Sequence, residues 1–351
     1  GRNGAGSGIR TPDTATGVAD LRAGPTLPAA QARFPIVGPA EMRGSGFAGM
    51  SDDQVRSHIA ARLGNYGSGS GQLDPGQWLA RFRTAFNSSG SAEQLITFDN
   101  IMLAIAEYQR SALFVDTPWN RYVRGDNEAI SEDAKQGAVL FYRTTAEGGA
   151  QCAQCHKGDF FTDERHHVLG FPQIGPGNGD GSPGNDDFGR GRQTQVDNDR
   201  YRFRTPSLLN VEVTAPYGHA GAYRDLETVF GHYVVPDDIV AGYLANRDWC
   251  RLPQFTGAGN CNIVFSDVSR NTQAAMAKMR AVRTATPNDA MPVIDPVRVS
   301  PETTPPMLAF LRTLTDPCVK DRACIARWIP GLSEAPDAMQ LNAVDSSGRP
   351  L

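Results

Sequence analysis

The sequence has little that would tie it to a polyanion or a bilayer. It carries 34 Lys and Arg against 38 Asp and Glu, a formal charge of −4, and has no basic run, which argues against a nucleic-acid or anionic-membrane surface. No stretch approaches the ~20 apolar residues that a membrane span requires. A basic n-region followed by an apolar h-region is missing at the start, and the opening GRNGAGSG does not read as a natural beginning. A removed signal peptide or a longer precursor is therefore expected. Strand-like alternation is scarce. There is no second CxxC, no HxxxH, no methionine between residues 157 and 275, and no tryptophan before Trp78.

What is present is a single CxxCH, Cys152 to His156, in GGAQCAQCHKGDFF. Two thiols flanking two residues, followed at once by an imidazole, form the attachment signature of c-type haem, with His156 as the proximal iron ligand. The other four cysteines sit as two close pairs, CRLPQFTGAGNC and CVKDRAC. Each pair is suited to closing a short loop by a disulfide, Cys250–Cys261 and Cys318–Cys324, in an oxidising compartment. A zinc site built from Cys152, Cys155 and two distant thiols is the competing reading. The sixth iron ligand decides reactivity, since Met raises the potential and an anionic oxygen donor favours ferric and higher states. The lack of nearby methionine puts the usual thioether in doubt.

At 351 residues the length suggests about two domains. Residues 1–40, rich in Gly, Ala, Pro and Thr, read as extended coil. Ser51 with Gln54 forms a capping box before Val55, Ile59 and Leu63, which recur at helical spacing. Asp74-Pro75 signals a second start, for a helix through Trp78, Phe82 and Phe86. A third helix has Ile101, Ile105, Tyr108 and Ala112 on one stripe, and SEDAKQGAVLFYR opens a fourth with acids in its first turn. Residues 225–234 and 303–315 read as short helices. The Gly/Asp/Asn-rich stretch 171–200 lacks EF-hand spacing and reads as a solvated loop. The fold class expected is mostly α, cytochrome c-like haem domains with long loops.

CAQCHKGDFFTDERHHVLG, DFGRGRQT and FRTPSLLNVEVTAPYGHAGAYRDLETVFGHY, in that order, resemble the C-terminal haem domain of bacterial di-haem cytochrome c peroxidases and the related MauG-type enzymes. Upstream, QARFPIVGPAEM resembles the distal segment of the first haem domain, and ITFDNIMLAIAEYQRS…DTPWNRYVRGD its connecting helices. The resemblance implies a remainder of the first, peroxidatic haem domain over residues 1–130 and a C-terminal haem domain over 131–351. The first domain's CxxCH is absent, so its haem is expected on a missing upstream segment.

Carried over, the resemblance makes Gln31, Pro35 and Glu41 the lining of the peroxidatic pocket, with Glu41 moving a proton between peroxide oxygens. Tyr233 falls where the peroxidases place Met and MauG-type enzymes place tyrosine as sixth ligand; a shift of one residue would substitute His232. His219 becomes a haem-contacting residue. Thr214 and Pro216 match positions whose backbone carbonyls bind Ca²⁺, with Asn3 as a third ligand. His166 and His167 read as solvated or propionate-facing. The Trp that the family places between its haems has no counterpart. The function implied is a periplasmic di-haem peroxidase reducing H₂O₂ with electrons from a small reduced donor protein, passed through the haem at His156. The alternatives are a MauG-like enzyme oxidising a partner protein through high-valent iron, and a non-enzymatic electron carrier. The resemblance leaves room for a homodimer.

Overall fold

The computed structural model describes residues 8–15, 17–39, 41–73, 78–255, 259–285 and 301–331. It is mostly helical, and the chain divides into two compact units: Gly1–Leu113 with Ile325–Leu351, and Phe114–Cys324. Residues 114–130, expected with the first unit, pack with the second.

In the first unit, the helix Asp52–Gly64 starts at the expected capping box: Ser51 Oγ accepts the Gln54 amide and the Gln54 side chain accepts the Ser51 amide. The helix Trp78–Ala85 carries Phe82 into the core, while its expected Asp74-Pro75 start lies outside the described residues. In the helix Phe98–Ser111 the buried face is Phe98, Ile101, Met102 and Ala106. Of the expected stripe only Ile101 is fully buried, and Tyr108 is 54% exposed. Tyr108 instead donates its hydroxyl to the Trp328 carbonyl at 2.8 Å.

Residues 8–39, read as coil, are pinned by charge. Arg33 and Arg56 are almost fully buried and share the carboxylate of Asp13, at 3.1 and 2.8 Å. Burial works against ionisation of Asp13, but the hydrogen bonds from Arg56 and Arg33 outweigh it and hold its carboxyl below the usual carboxylate range. A lowered folded-state pKa means that this stabilisation is present above the ordinary carboxylate value and is lost as pH falls through the lowered one. Asp13→Asn is expected to destabilise the first unit by a few kcal/mol, up to the ~3–5 kcal/mol of a broken buried pair. Thermal unfolding at neutral pH checks the size, and the gap to wild type should close in acid.

The second unit holds the helices Pro118–Val123, Glu132–Tyr142, Leu226–Val234, Pro236–Asn246, Val268–Ala285 and Thr304–Arg312. Ser131 caps Glu132–Tyr142 through the Ala134 amide, with Glu132 and Asp133 at the positive end of the helix dipole. A Cβ at Gly137 would run into the Pro306 carbonyl, so glycine is what lets this helix lie against Thr304–Arg312. Phe141 and Phe310, both fully buried, meet at 5.0 Å, and the Trp119 edge closes on Phe310 at 5.0 Å. One short antiparallel ladder pairs β1 (His166–Val168) with β2 (Arg202–Arg204), His167 opposite Phe203. Both expected disulfides are formed, Cys250–Cys261 with Cα atoms 5.6 Å apart and Cys318–Cys324 with Cα atoms 5.3 Å apart. That removes the zinc reading, because the distant thiols it needs are already bonded.

Candidate haem site

Cys152 and Cys155 remain free thiols. They stand with His156 on the wall of a cavity of about 490 Å³ inside the second unit, within the ~300–1,000 Å³ range of small-molecule and cofactor sites. The 3-10 turn Cys152–Gln154 presents them, and the His156 amide closes it by donating to the Cys152 carbonyl at 2.9 Å. His156 Nδ1 lies 3.0 Å from the Phe161 carbonyl. The carbonyl can only accept, so Nδ1 carries the proton and Nε2 is left as the ligating nitrogen. Burial depresses the imidazole's pKa, which keeps it neutral as a ligand must be. Burial also pushes the Cys152 thiol up to about 12, which makes it a poor thiolate nucleophile. The donor set fits a covalently held haem.

The helix Leu226–Val234 turns only one of the two candidate ligands, Tyr233, toward the cavity. Leu226, Val229, Phe230 and Tyr233 line the cavity, an i, i+3, i+4, i+7 stripe on one helical face. His232 points the other way and is fully buried. Its Nδ1 faces the Tyr223 hydroxyl at 2.9 Å and its Nε2 the Leu169 carbonyl at 2.9 Å, so both nitrogens are engaged. The Tyr233 hydroxyl has no hydrogen bond from the described residues. Burial is the main force pushing its pKa up, with Cys152 and Cys155 adding to it.

His219 lines the cavity, stacks on Phe203 at 3.6 Å, and places Nε2 3.1 Å from Asp187. Thr214 and Pro216 also line it; Asn3 lies outside the described residues. Of the two expectations for His167, solvated or propionate-facing, the first does not hold: it is 4% exposed, it lines the cavity, and its Nε2 meets Asp163 at 2.8 Å. His166 is half-buried, 3.4 Å from Arg190. Among the wall residues that sequence reasoning missed are Met307 and Tyr201. Met307 was hidden by its distance along the chain from the CxxCH, and Tyr201 had no periodic signal to mark it.

In the first unit, Gln31 ends the helix Leu27–Gln31. The turns that follow bring Pro35 and Glu41 near each other: the Glu41 amide donates to the Gly38 carbonyl and the Met42 amide to the Pro35 carbonyl, both at 3.0 Å. The Glu41 carboxylate occupies the space a Cβ at Gly38 would need.

Fold and site together give a mostly helical protein whose second unit presents a CxxCH to a cavity. Residues 15–128 match the family described as "Di-haem cytochrome c peroxidase". The chain is 35% identical over 207 residues to the "Methylamine utilization protein MauG" of Methylorubrum extorquens, covering 58% of this chain and 48% of that protein. It is 29% identical over 171 residues to the "Cytochrome c551 peroxidase" of Pseudomonas aeruginosa, covering 46% of each. Among solved structures, a MauG-like protein associated with microbial copper homeostasis aligns with TM-score 0.53 and 22% identity over 85% of this chain and 71% of that one, a likeness of fold. The chain is similar to di-haem cytochrome c peroxidases in residues 15–128, and to MauG and the cytochrome c551 peroxidase over about half its length. It spans about half the length of the curated relatives it matches.

Proposed function

We propose that this chain is part of a periplasmic di-haem peroxidase that reduces H₂O₂ with electrons from a small donor protein. The observation carrying this reading is the convergence of Cys152, Cys155, His156 and Tyr233 on one cavity. Cys152 and Cys155 would form the two thioethers and His156 Nε2 would bind the iron, with its Nδ1–H held by the Phe161 carbonyl. The cofactor supplies one-electron redox chemistry. His219, braced by Asp187 and Phe203, would press on it from the side and keep water out. The Thr214 and Pro216 carbonyls accept no hydrogen bond from the described residues, which suits them to Ca²⁺. Gln31, Pro35 and Glu41 would serve a second haem, which the single CxxCH of this chain does not hold. The two disulfides agree with an oxidising periplasm. With H₂O₂ and a reduced small cytochrome c, the di-haem enzyme, this chain together with the segment that holds the second haem, should oxidise the donor in proportion to peroxide consumed; no donor oxidation with both haems loaded overturns the reading.

Tyr233 supports the MauG-like alternative, in which the oxidising equivalents leave through a partner protein. We expect Tyr233→Phe to keep the haem attached but to change the visible spectrum of the His156 haem as its oxygen ligand is lost. An unchanged spectrum would remove Tyr233 as sixth ligand and point to Met307 on the same wall.

A further inference from the structure

The segment 171–200, expected to be a solvated loop, is instead built around a buried carboxylate. The Asp186 backbone pairs with that of Asp180, amide to carbonyl at 3.0 Å and carbonyl to amide at 3.1 Å. One side-chain oxygen of Asp186 accepts the Asp187 amide at 2.8 Å. The other accepts the phenolic O–H of Tyr201 at 2.6 Å. Asp186 is 6% and Tyr201 7% exposed. Tyr201 has φ +59°, a left-handed backbone that is a genuine outlier for a bulky residue. Such strain, ~1–3 kcal/mol, gathers at functional sites where the surroundings impose it. Here the Tyr201 amide is tied to the Phe188 carbonyl at 3.0 Å and the Phe188 ring meets the Tyr201 ring at 5.6 Å. The outcome of that strain is that Tyr201 lines the cavity of Cys152, Cys155 and His156.

Three tyrosines line this cavity, Tyr201, Tyr217 and Tyr233. Tyr217 donates to the Val211 carbonyl, which cannot keep a proton. Tyr233 has no hydrogen-bond partner among the described residues. Tyr201 alone among them faces a base. Its phenol is pushed well above its ordinary value, chiefly by burial and then by Asp186, so it is protonated at rest. Losing an electron without losing that proton would leave a cation in a buried site, at high cost. A carboxylate at hydrogen-bond distance removes the cost.

We propose that Tyr201 is a redox-active residue of this site, paired with Asp186 as its proton acceptor. One electron passes from the Tyr201 ring to the peroxide-oxidised cofactor in the cavity, and the phenolic proton moves along the existing hydrogen bond to Asp186 Oδ2. The O–H bond of Tyr201 breaks and an O–H bond on Asp186 forms; the cofactor is reduced by one electron. The products are a neutral tyrosyl radical and a neutral carboxylic acid. An external one-electron donor reverses both transfers. The Gly/Asp-rich loop exists, on this account, to hold one carboxylate beside one phenol.

The oxidant in this step rests on the peroxidase reading, so the test has two arms. The di-haem protein, this chain together with the segment that holds the second haem, is mixed with H₂O₂ and freeze-quenched, and separately oxidised by photogenerated ruthenium(III) tris-bipyridine, which needs no peroxide chemistry. Electron paramagnetic resonance should show a tyrosyl radical, absent in Tyr201→Phe and retained in Tyr223→Phe, a control whose hydroxyl meets His232 away from the cavity wall. Asp186→Asn keeps the acceptor's shape but not its basicity, and radical formation should slow by ~10²-fold or more, as for loss of a general base. In wild type, exchange into ²H₂O should reveal one exchangeable hydrogen-bonded proton at the radical oxygen, a readout independent of any variant. A signal in the ruthenium arm alone would keep the pair and overturn the peroxidase reading. A radical that persists in Tyr201→Phe, or no tyrosyl radical in either arm, overturns the proposal.

Discussion

Serine at both Cys152 and Cys155 is expected to leave a chain with no covalent haem. Thioether bonds need sulfur, and these are the only two cysteines outside the disulfides Cys250–Cys261 and Cys318–Cys324. Serine is close to isosteric with cysteine, and both positions are only half-buried, so the fold should survive and the effect should be confined to attachment. On a denaturing gel stained for haem peroxidase activity, the wild-type band should be coloured and the double variant colourless. Each single variant should keep one thioether and part of the colour. His156→Ala should behave differently: the colour stays, because the thiols still react, but the iron loses the nitrogen held in place through Phe161. Colour retained in the double variant would remove the CxxCH from the site and the electron route with it.

The parts of this molecule that could be read from the sequence are those fixed by neighbours along the chain. The Ser51–Gln54 capping box, the acids opening Glu132–Tyr142, and the two cysteine pairs all act over a dozen residues or fewer, and all appear in the structure. The helices Pro236–Asn246 and Val268–Ala285 were missed. The second buries Asn271 and Thr272 alongside Ala275, Met276 and Met279, so its core face is partly polar and carries no clean apolar stripe. The Gly/Asp-rich loop misled for a related reason. Asp186 looks like a solvated acid until the fold brings Tyr201 to it, across 15 positions. Whether His167 is solvated or faces the cavity was likewise open in the sequence, because its burial depends on the pairing of β1 with β2. The Tyr233-or-His232 ambiguity is a matter of 100° of rotation about one helix. Leu226, Val229, Phe230 and Tyr233 share one helical face, so the sequence pattern already places Tyr233, and not His232, with the cavity-lining residues.

Glu41→Gln is expected to slow the reaction with H₂O₂ by ~10²–10⁴-fold, the usual contribution of a positioned proton-transfer group. Breaking the O–O bond unevenly requires one proton to leave the inner peroxide oxygen and reach the outer one. A carboxylate can take and return it, whereas an amide of the same shape cannot. The geometry of the turn would suit such a role. The Glu41 amide is anchored to the Gly38 carbonyl, the following amide to the Pro35 carbonyl, and the exposed carboxylate folds back over Gly38. Because a Cβ at Gly38 would collide with that carboxylate, Gly38→Ala should displace it while leaving its charge intact. If Glu41 acts through position as well as basicity, Gly38→Ala should lower the stopped-flow rate in the same direction as Glu41→Gln, by a smaller factor, and haem content should stay at the wild-type level in both. Neither substitution touches the core formed by Val55, Ile96 and Met102, so melting temperatures should stay close to wild type and a slow reaction could not be blamed on unfolding. An unchanged peroxide rate in fully haem-loaded Glu41→Gln would take Glu41 out of the reaction, and with it one ground for preferring a peroxidase over an electron carrier.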